Sequence, residues 1–154
     1  MTEKIEKNKS GAVIPEEKLI GKWVNQHGSY LEIYMAVHGK ISGTFKTGVG
    51  AHDPDEEFII SGLANGNLIS FSVNFQKHGC ITSWAGHLTS EKEEDRMETM
   101  WHLTRALPKK TEHESLWAGI WTGADTFTRV EDDKRNLEEF VRPRIVPSYP
   151  CLAM

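Results

Sequence analysis

Residues 57–75, EFIISGLANGNLISFSVNF, contain two short apolar runs separated by the dipeptide Asn65-Gly66. Asn-Gly between two apolar runs is the strongest short-range signal for a β-hairpin. From Ile69 to Phe75 every second residue is apolar and those between are serine or asparagine, which is the period of a strand that buries one face. The stretch therefore predicts two antiparallel strands, over about 57–63 and 67–75.

The same period of two continues on both sides of this hairpin, with glycine turns at His27-Gly28 and His38-Gly39. It predicts six further strands, at 19–25, 29–37, 40–47, about 80–89, about 97–105 and 117–130. Sequential antiparallel strands joined by short turns can avoid exposed edges by closing, and eight strands enclose an interior that is either filled or holds one small ligand. The predicted fold class is all-β, an eight-stranded antiparallel up-and-down β-barrel.

The barrel is expected to occupy residues 19–130, after an N-terminal extension over 1–18. Residues 131–154 form a C-terminal tail in which helical periodicity appears only around 132–141, so the tail is expected to be a short helix or irregular. The charged run 91–96, EKEEDR, is expected to form a solvated hairpin tip between the sixth and seventh strands.

The charge of the chain excludes some partners. The chain has 18 basic and 22 acidic residues, a formal net charge of -4, and no basic stripe that could neutralise a phosphate backbone. No segment approaches the roughly 20 apolar residues of a membrane span. We therefore expect neither nucleic acid nor membrane as a partner. The first residues show no apolar leader, so the chain is either cytoplasmic or secreted after removal of a signal peptide, and its localisation stays unknown.

Residue spacing gives no sign of catalysis or of a metal site. Cys80 and Cys151 form no CxxC pair and imply no disulfide framework, and the seven histidines form no HxxxH or HExxH pair. Gly48-Val49-Gly50 is too short for a dinucleotide fingerprint, and the sequence has no nucleophile elbow or phosphate loop. We expect a protein that is not an enzyme and needs no cofactor or metal.

Five segments carry a resemblance to a known family. They are 21–29 (GKWVNQHGS), 41–50 (ISGTFKTGVG), 82–86 (TSWAG), 99–103 (TMWHL) and 117–129 (WAGIWTGADTFTR). In residue type and in order they are similar to the avidin and streptavidin family of biotin-binding proteins. The resemblance implies high-affinity binding of biotin, as a ligand rather than a cofactor, in the open end of the barrel.

The resemblance also implies how polar residues would hold the fused rings of biotin. Asn25 and Ser29 would donate hydrogen bonds to the ureido oxygen, and Asp125 and Thr47 would accept them from the two ureido N–H groups. Thr82 would approach the ring sulfur. An anionic Asp125 is costly to bury unless its lone pairs are satisfied, which a ureido N–H and Asn25 could do.

Aromatic and aliphatic side chains would form the walls, and the resemblance implies Phe75, Trp84, Trp101, Leu103 and Val49 for this role. Trp117 stands where the family donates a tryptophan to the ligand of a neighbouring subunit. Its presence favours a homotetramer over a dimer.

Three positions depart from the family. Phe45 stands where the better-known relatives have a tyrosine whose hydroxyl bonds the ureido oxygen, and loss of such a donor costs about 1–3 kcal/mol, or roughly tenfold to a hundredfold in affinity. Cys80 stands at the carboxylate end of the ligand where many relatives have serine, and a thiol is the poorer donor. Ala51 replaces a position that is often polar, although its backbone N–H can still bond the carboxylate.

Each assignment has a simpler alternative. Trp84, Trp101 and Phe75 could fill an ordinary core, and Asn25 and Ser29 could bond only their own turn. A lipocalin-like carrier of another small apolar ligand would share the barrel and the Gly-Lys-Trp start. Such a carrier would not need a polar set on four strands.

Overall fold

The strands of this protein close into a single barrel. The computed structural model describes residues 16–49, 55–92, 94–107 and 116–130. Its strands are β1 (Gly21–Asn25), β2 (Tyr30–Val37), β3 (Lys40–Lys46), β4 (Phe58–Asn65), β5 (Leu68–Asn74), β6 (Cys80–Glu91), β7 (Glu94–Arg105) and β8 (Ile120–Arg129). Each strand is antiparallel to its neighbour in sequence, and β8 pairs with β1. The predicted eight-stranded antiparallel barrel is confirmed.

The described residues also contain three short 3-10 helices, at Glu16–Leu19, Gln76–His78 and Leu116–Gly119. None of the helices in the described ranges is both long and apolar enough to span a membrane. The predicted tail helix around 132–141, most of the extension 1–18 and the site candidate Ala51 lie outside the described residues. The division into extension, barrel and tail remains a prediction.

The hairpins follow the glycine signals with one shift of register. His38 and Gly39 both have positive φ, at 51° and 75°, and join the paired residues Val37 and Lys40 in a two-residue turn. In the next hairpin Asn65 pairs with Leu68, so the turn residues are Gly66 and Asn67 rather than Asn65 and Gly66. The prediction of this turn was wrong by one residue, because Asn65 continues the ladder of β4.

The charged run 91–96 is not simply a hairpin tip. β6 continues to Glu91 and β7 begins at Glu94, so most of the run belongs to paired strand ends. The hydroxyl of Ser90 donates to Asp95 across the hairpin at 2.9 Å, and Arg96 contacts Glu94 at 3.0 Å. The bond between Ser90 and Asp95 joins the two strands beyond the point where their apolar alternation ends.

Apolar side chains fill one end of the barrel, which we call the closed end. Trp23 is fully buried, its indole N–H donates to the carbonyl of Leu19 at 3.0 Å, and the Arg129 guanidinium lies 4.2 Å from its ring centroid. The helix before β1 therefore packs across this end. The side chains buried nearby or deeper in the core include Leu31, Ile33, Ile41, Ile60, Phe71, Leu88, Met97 and Phe127.

Candidate functional site

Six polar side chains in the described part of the chain are buried: Asn25, Ser29, Thr47, Thr82, Thr99 and Asp125. Five of them are the polar residues that the sequence predicted for the site, and they come from different strands and turns. Burying a polar group costs free energy unless it is hydrogen-bonded. The hydrogen-bond partners of each group therefore indicate whether it is held as a donor or as an acceptor.

Asp125 is the centre of this polar group and is 1% exposed. Its Oδ2 accepts hydrogen bonds from the Trp84 indole N–H at 2.8 Å and from the Asn25 amide at 3.3 Å. Its Oδ1 accepts from the side chain of Gln26 at 3.1 Å, and the ring of His27 lies 3.8 Å away. Donors from three directions thus fix the carboxylate as an acceptor inside the barrel.

Asn25 is held so that its amide nitrogen, rather than its oxygen, faces Asp125. Its Oδ1 accepts from the backbone N–H groups of His27 and Ser29, at 3.0 and 2.9 Å. Because these two bonds fix the side-chain orientation, Nδ2 must point towards the carboxylate. One of its two N–H groups is sufficient for that bond. The turn therefore leaves an N–H donor on the buried side of Asn25.

The local bonds also fix the direction of two hydroxyl groups. Ser29 Oγ accepts from the backbone N–H of Gly48 at 3.0 Å, which leaves its own proton for another acceptor. Thr47 Oγ1 donates to the carbonyl of Val49 at 2.9 Å and accepts from its N–H at 3.3 Å. Ser29 is thereby set as a donor, and Thr47, having used its proton, as an acceptor.

A close backbone approach makes the Ser29 contact possible. A Cβ atom added at Gly48 would lie 2.4 Å from the carbonyl oxygen of Gly28. Only glycine lets the end of β3 reach the turn between β1 and β2 so closely. The glycine after Thr47 thus helps to bring both hydroxyl groups to the same end of the barrel.

Thr82 is fully buried, and its hydroxyl has no hydrogen-bond partner within the part of the chain that the structure describes. A buried unsatisfied hydroxyl is rare in a folded protein and calls for an explanation such as a bound ligand. On β6, Thr82 lies two residues before Trp84, on the same face of the strand.

Aromatic rings surround the polar groups. The ring of Phe45 lies 5.2 Å from that of Trp84 and 6.1 Å from that of Phe75. Trp84 is stacked on Phe71 at 5.0 Å with an interplanar angle of 13°. The structure brings the predicted wall residues Phe75 and Trp84 together with Phe45 and Asp125, because Trp84 contacts both the Phe45 ring and the carboxylate.

Trp101 and Leu103 lie on the inward-facing side of β7. Leu103 is fully buried and pairs with Thr82, while Trp101 is half-buried and pairs with Trp84. On the other side Trp101 pairs with Gly123, where an added Cβ would lie 2.3 Å from Cζ2 of the indole. The missing side chain at Gly123 gives the indole its place against β8.

The end of the barrel opposite the closed end, which we call the open end, has an anchored rim. Glu56, just before β4, contacts His78 at 3.1 Å and Lys77 at 3.2 Å in the connection between β5 and β6. The hydrogen bond from His78, with a further contribution from Lys77, lowers the pKa of the Glu56 carboxyl group. Phe75 and Val49, two of the residues expected to form the wall, are buried.

Cys80 differs from its predicted chemistry. It is buried, but it is disulfide-bonded and so has no thiol to donate. The sequence implied no disulfide framework and left the redox state of Cys80 open, because spacing along a chain says nothing about proximity in the fold. The other cysteine of the chain, Cys151, lies outside the described residues.

Trp117 is separated from the polar group in this chain. It lies in the 3-10 helix before β8 and is 84% exposed. With Thr104, Leu107 and Ile120 it lines an open groove of about 500 Å³ on the β7–β8 side of the rim. Most of its indole is therefore open to solvent in the single chain.

Three features of the site were not predicted from the sequence. Gln26 donates to the carbonyl of Ala124 at 2.9 Å and accepts from the N–H of Thr126 at 3.0 Å, which fastens the β1–β2 turn to β8. His27 lies against Asp125, and the N–H of Trp84 bonds the same carboxylate. Since Gln26 and His27 directly follow Asn25 in a turn, only their position in the turn could have indicated them.

This arrangement can hold a compact, uncharged polar ring. Donors and acceptors face one buried region enclosed by aromatic rings, and a compact group that both accepts and donates hydrogen bonds would complete it. Within the described ranges no group of three or more His, Cys, Asp or Glu residues could hold a metal ion.

Comparison with known proteins agrees with this geometry. The model of the Avidin family matches residues 14–130. Among solved structures, xenavidin is 27% identical, covers 75% of this chain and 100% of its own, and has a TM-score of 0.63. The rhizavidin–biotin complex is 26% identical over 72% of this chain and 92% of its own, with a TM-score of 0.59. A biotin-binding protein from chicken shares the fold, at 24% identity over 75% of this chain and 98% of its own, with a TM-score of 0.65. The chain therefore belongs to the avidin family, whose members are not enzymes.

Proposed function

We propose that this protein binds one biotin molecule with high affinity in the open end of its barrel. The observation that carries the proposal is the direction of the hydrogen bonds around Asp125. Ser29 and Asn25 are set as donors, whereas Thr47 and Asp125 are set as acceptors. A cyclic urea needs this division, because its oxygen accepts hydrogen bonds and its two N–H groups donate them.

The rest of the ligand matches the remaining residues. The ring sulfur would lie against the Thr82 hydroxyl, which lacks a partner among the described residues. Phe45, Phe75, Trp84 and Trp101 would enclose the fused rings, and Leu103 and Val49 would complete the wall. Solved structures of similar proteins include complexes with biotin, among them rhizavidin and short afifavidin.

The main alternative, a lipocalin-like carrier of an apolar ligand, is not favoured. An apolar ligand would leave the Ser29 proton and the Thr82 hydroxyl without partners, and each buried unsatisfied group costs about 1–3 kcal/mol. A biotin-binding site should prefer a ligand that has the urea, whereas a lipocalin-like carrier should prefer an apolar ligand that lacks it.

Isothermal titration of the full chain with biotin tests the proposal, with a fatty acid of similar length as the control ligand. We expect one biotin per chain with a dissociation constant of about 1 µM or tighter, and no detectable heat from the fatty acid. Absence of biotin binding at about 100 µM, or tighter binding of the fatty acid, would refute the proposal.

We further propose that the protein assembles into a homotetramer. Support comes from the exposed Trp117 and from the outer face of β5–β8. There the cross-strand register places Ser70, Ala85, Met100 and Ala124 in one row, and Met100 is 61% exposed. An uncharged row of small residues around an exposed methionine suits contact with a second copy.

Native mass spectrometry of the wild type and of Trp117→Ala tests this assembly and the role of Trp117. We expect a tetramer for both proteins and faster dissociation of biotin from the variant, since Trp117 would cover the ligand of a neighbouring subunit. A monomeric wild type at micromolar concentration would contradict the assembly. An unchanged dissociation rate would contradict the role of Trp117.

A further inference from the structure

Arg105 is the last residue of β7 and lies at the rim of the open end. The burial of β7 alternates strictly near this end: Leu103 and Trp101 face inwards, whereas Thr104 and His102 are exposed. Arg105 has the same parity as Leu103, so it stands on the inward-facing side of the strand, one step beyond the proposed wall.

The neighbours of Arg105 place it at the end of the site away from Asp125. Along β7, Thr99 pairs with Asp125, Leu103 pairs with Thr82, and Arg105 pairs with Cys80. If the urea of biotin lies at Asp125, its carboxylate chain must run towards the rim. Arg105 therefore lies at the level where the proposed ligand carries its negative charge.

Arg105 differs from the other two arginines in the described part of the chain. Arg96 contacts Glu94 at 3.0 Å, and Arg129 contacts Asp95 at 3.2 Å. Arg105 forms no ion pair with a described residue, and its Nε atom is buried without a hydrogen-bond partner there. Its guanidinium lies 5.9 Å from the ring centroid of Trp121, which limits the directions it can take.

The other basic side chains described at the rim, Lys77 and His78, already contact the carboxylate of Glu56. Cys80 is disulfide-bonded and has no thiol, and Leu103 is apolar. A carboxylate leaving the barrel here would lose part of its hydration and would need a charged or N–H donor in return. A guanidinium is well suited to that role, because two of its parallel N–H groups match the two oxygens of a carboxylate.

We propose that Arg105 is a specificity-determining residue that binds the carboxylate of the ligand and makes the site prefer the free acid to its uncharged derivatives. The inference rests on the proposed binding of biotin and deepens it. Recognition of the fused rings by the Asp125 group is separate from recognition of the carboxylate by Arg105, so a neutral biotin amide should bind through the rings alone.

The experiment measures the affinities of the full-length protein for biotin and for biotin amide, before and after Arg105→Gln. We expect the wild type to prefer biotin by about tenfold, since a hydrogen bond between charged groups contributes about that factor. Arg105→Gln should weaken biotin by about tenfold and leave the amide within twofold. Arg96→Gln, which removes an arginine in the distant β6–β7 hairpin, should leave the preference intact.

The outcomes separate this inference from the proposed function. If the wild type binds neither ligand, biotin binding itself is refuted. If it binds both equally, or if Arg105→Gln weakens both by the same factor, only the role of Arg105 is refuted. If Arg105→Gln does not fold, the salt dependence of the wild type provides the test. Added salt should lower the affinity for biotin more than the affinity for the amide, and an equal effect on both would overturn the inference.

Discussion

The two ends of the barrel interior are both buried, yet they are built differently. At the closed end the Trp23 N–H bonds the Leu19 carbonyl, and apolar side chains such as Leu88 and Met97 fill the space. At the open end, buried hydroxyl and amide groups bond one another only in part: Thr82 has no described partner. The closed end therefore supplies stability, whereas the open end gives up some stability to keep hydrogen-bonding capacity for a ligand.

The largest expected effect breaks the closed end. Leu88 is 1% exposed at the far side of the core from the rim, and Leu88→Ala should lower the free energy of unfolding by about 3 kcal/mol through lost apolar burial and a cavity. Chemical denaturation measures this loss. Biotin affinity should stay within twofold.

The control for this change is Leu63→Ala on the outer face of β4, where the side chain is 62% exposed. It should change the free energy of unfolding by less than about 0.5 kcal/mol. If Leu88→Ala instead weakened biotin binding severely while the protein stayed folded, the two ends would not be independent.

The next effect concerns the centre of the open end. Asp125→Asn keeps the shape of the side chain but turns one acceptor into a donor, which must then face the N–H of Trp84, Asn25 or Gln26. We expect biotin affinity to fall by about a hundredfold, because hydrogen bonds with charged groups contribute about 1.5–3 kcal/mol. Titration calorimetry measures it, and a loss below threefold would contradict the role of Asp125.

A gain of binding at the same end is expected from Phe45→Tyr. The Phe45 ring is fully buried between Phe75 and Trp84, and a hydroxyl there should add a donor for the ureido oxygen. The rate of biotin dissociation should fall by about tenfold. Phe58→Tyr is the matched control, because the Phe58 ring contacts the rings of Phe75 and His78 rather than that of Trp84. An unchanged or faster dissociation from the Phe45 variant contradicts the interpretation.

Much of the fold could be predicted because its signals are local. Alternation between apolar and polar residues predicted the strand faces, and glycine turns such as His38-Gly39 predicted the hairpins within a few residues. The end of β6 and the start of β7 were not predicted, since their residues are mostly charged and are held by cross-strand bonds rather than by apolar burial. Alternation of apolar and polar residues predicts a strand only as far as the alternation continues.

The residue types of the candidate site and the bond from Asn25 to Asp125 were expected from the sequence, but the other bonds of the site were not. Resemblance to the avidin family supplied Asn25, Ser29, Thr47 and Asp125, yet the direction of each hydroxyl proton depends on contacts such as Gly48 with Ser29. The disulfide at Cys80 could not be predicted, because it depends on distances between residues far apart in sequence.

The smallest expected effect concerns Gln26, at the outer edge of the open end. Gln26 is exposed, but its amide bonds Asp125, Ala124 and Thr126 and so joins the turn that carries Asn25 to the strand that carries Asp125. Gln26→Leu removes these bonds without a new charge and should weaken biotin binding by about threefold, as expected for partly exposed hydrogen bonds.

Gln26→Glu keeps the size of the side chain but places a carboxylate against that of Asp125, so it should weaken binding more than Gln26→Leu does. Equal losses in the two variants would mean that Gln26 acts only by holding the turn. A larger loss of affinity in Gln26→Glu that is relieved as the pH is lowered would show that the Asp125 carboxylate interacts with a charge at position 26. The functional end of the barrel would then include this exposed residue.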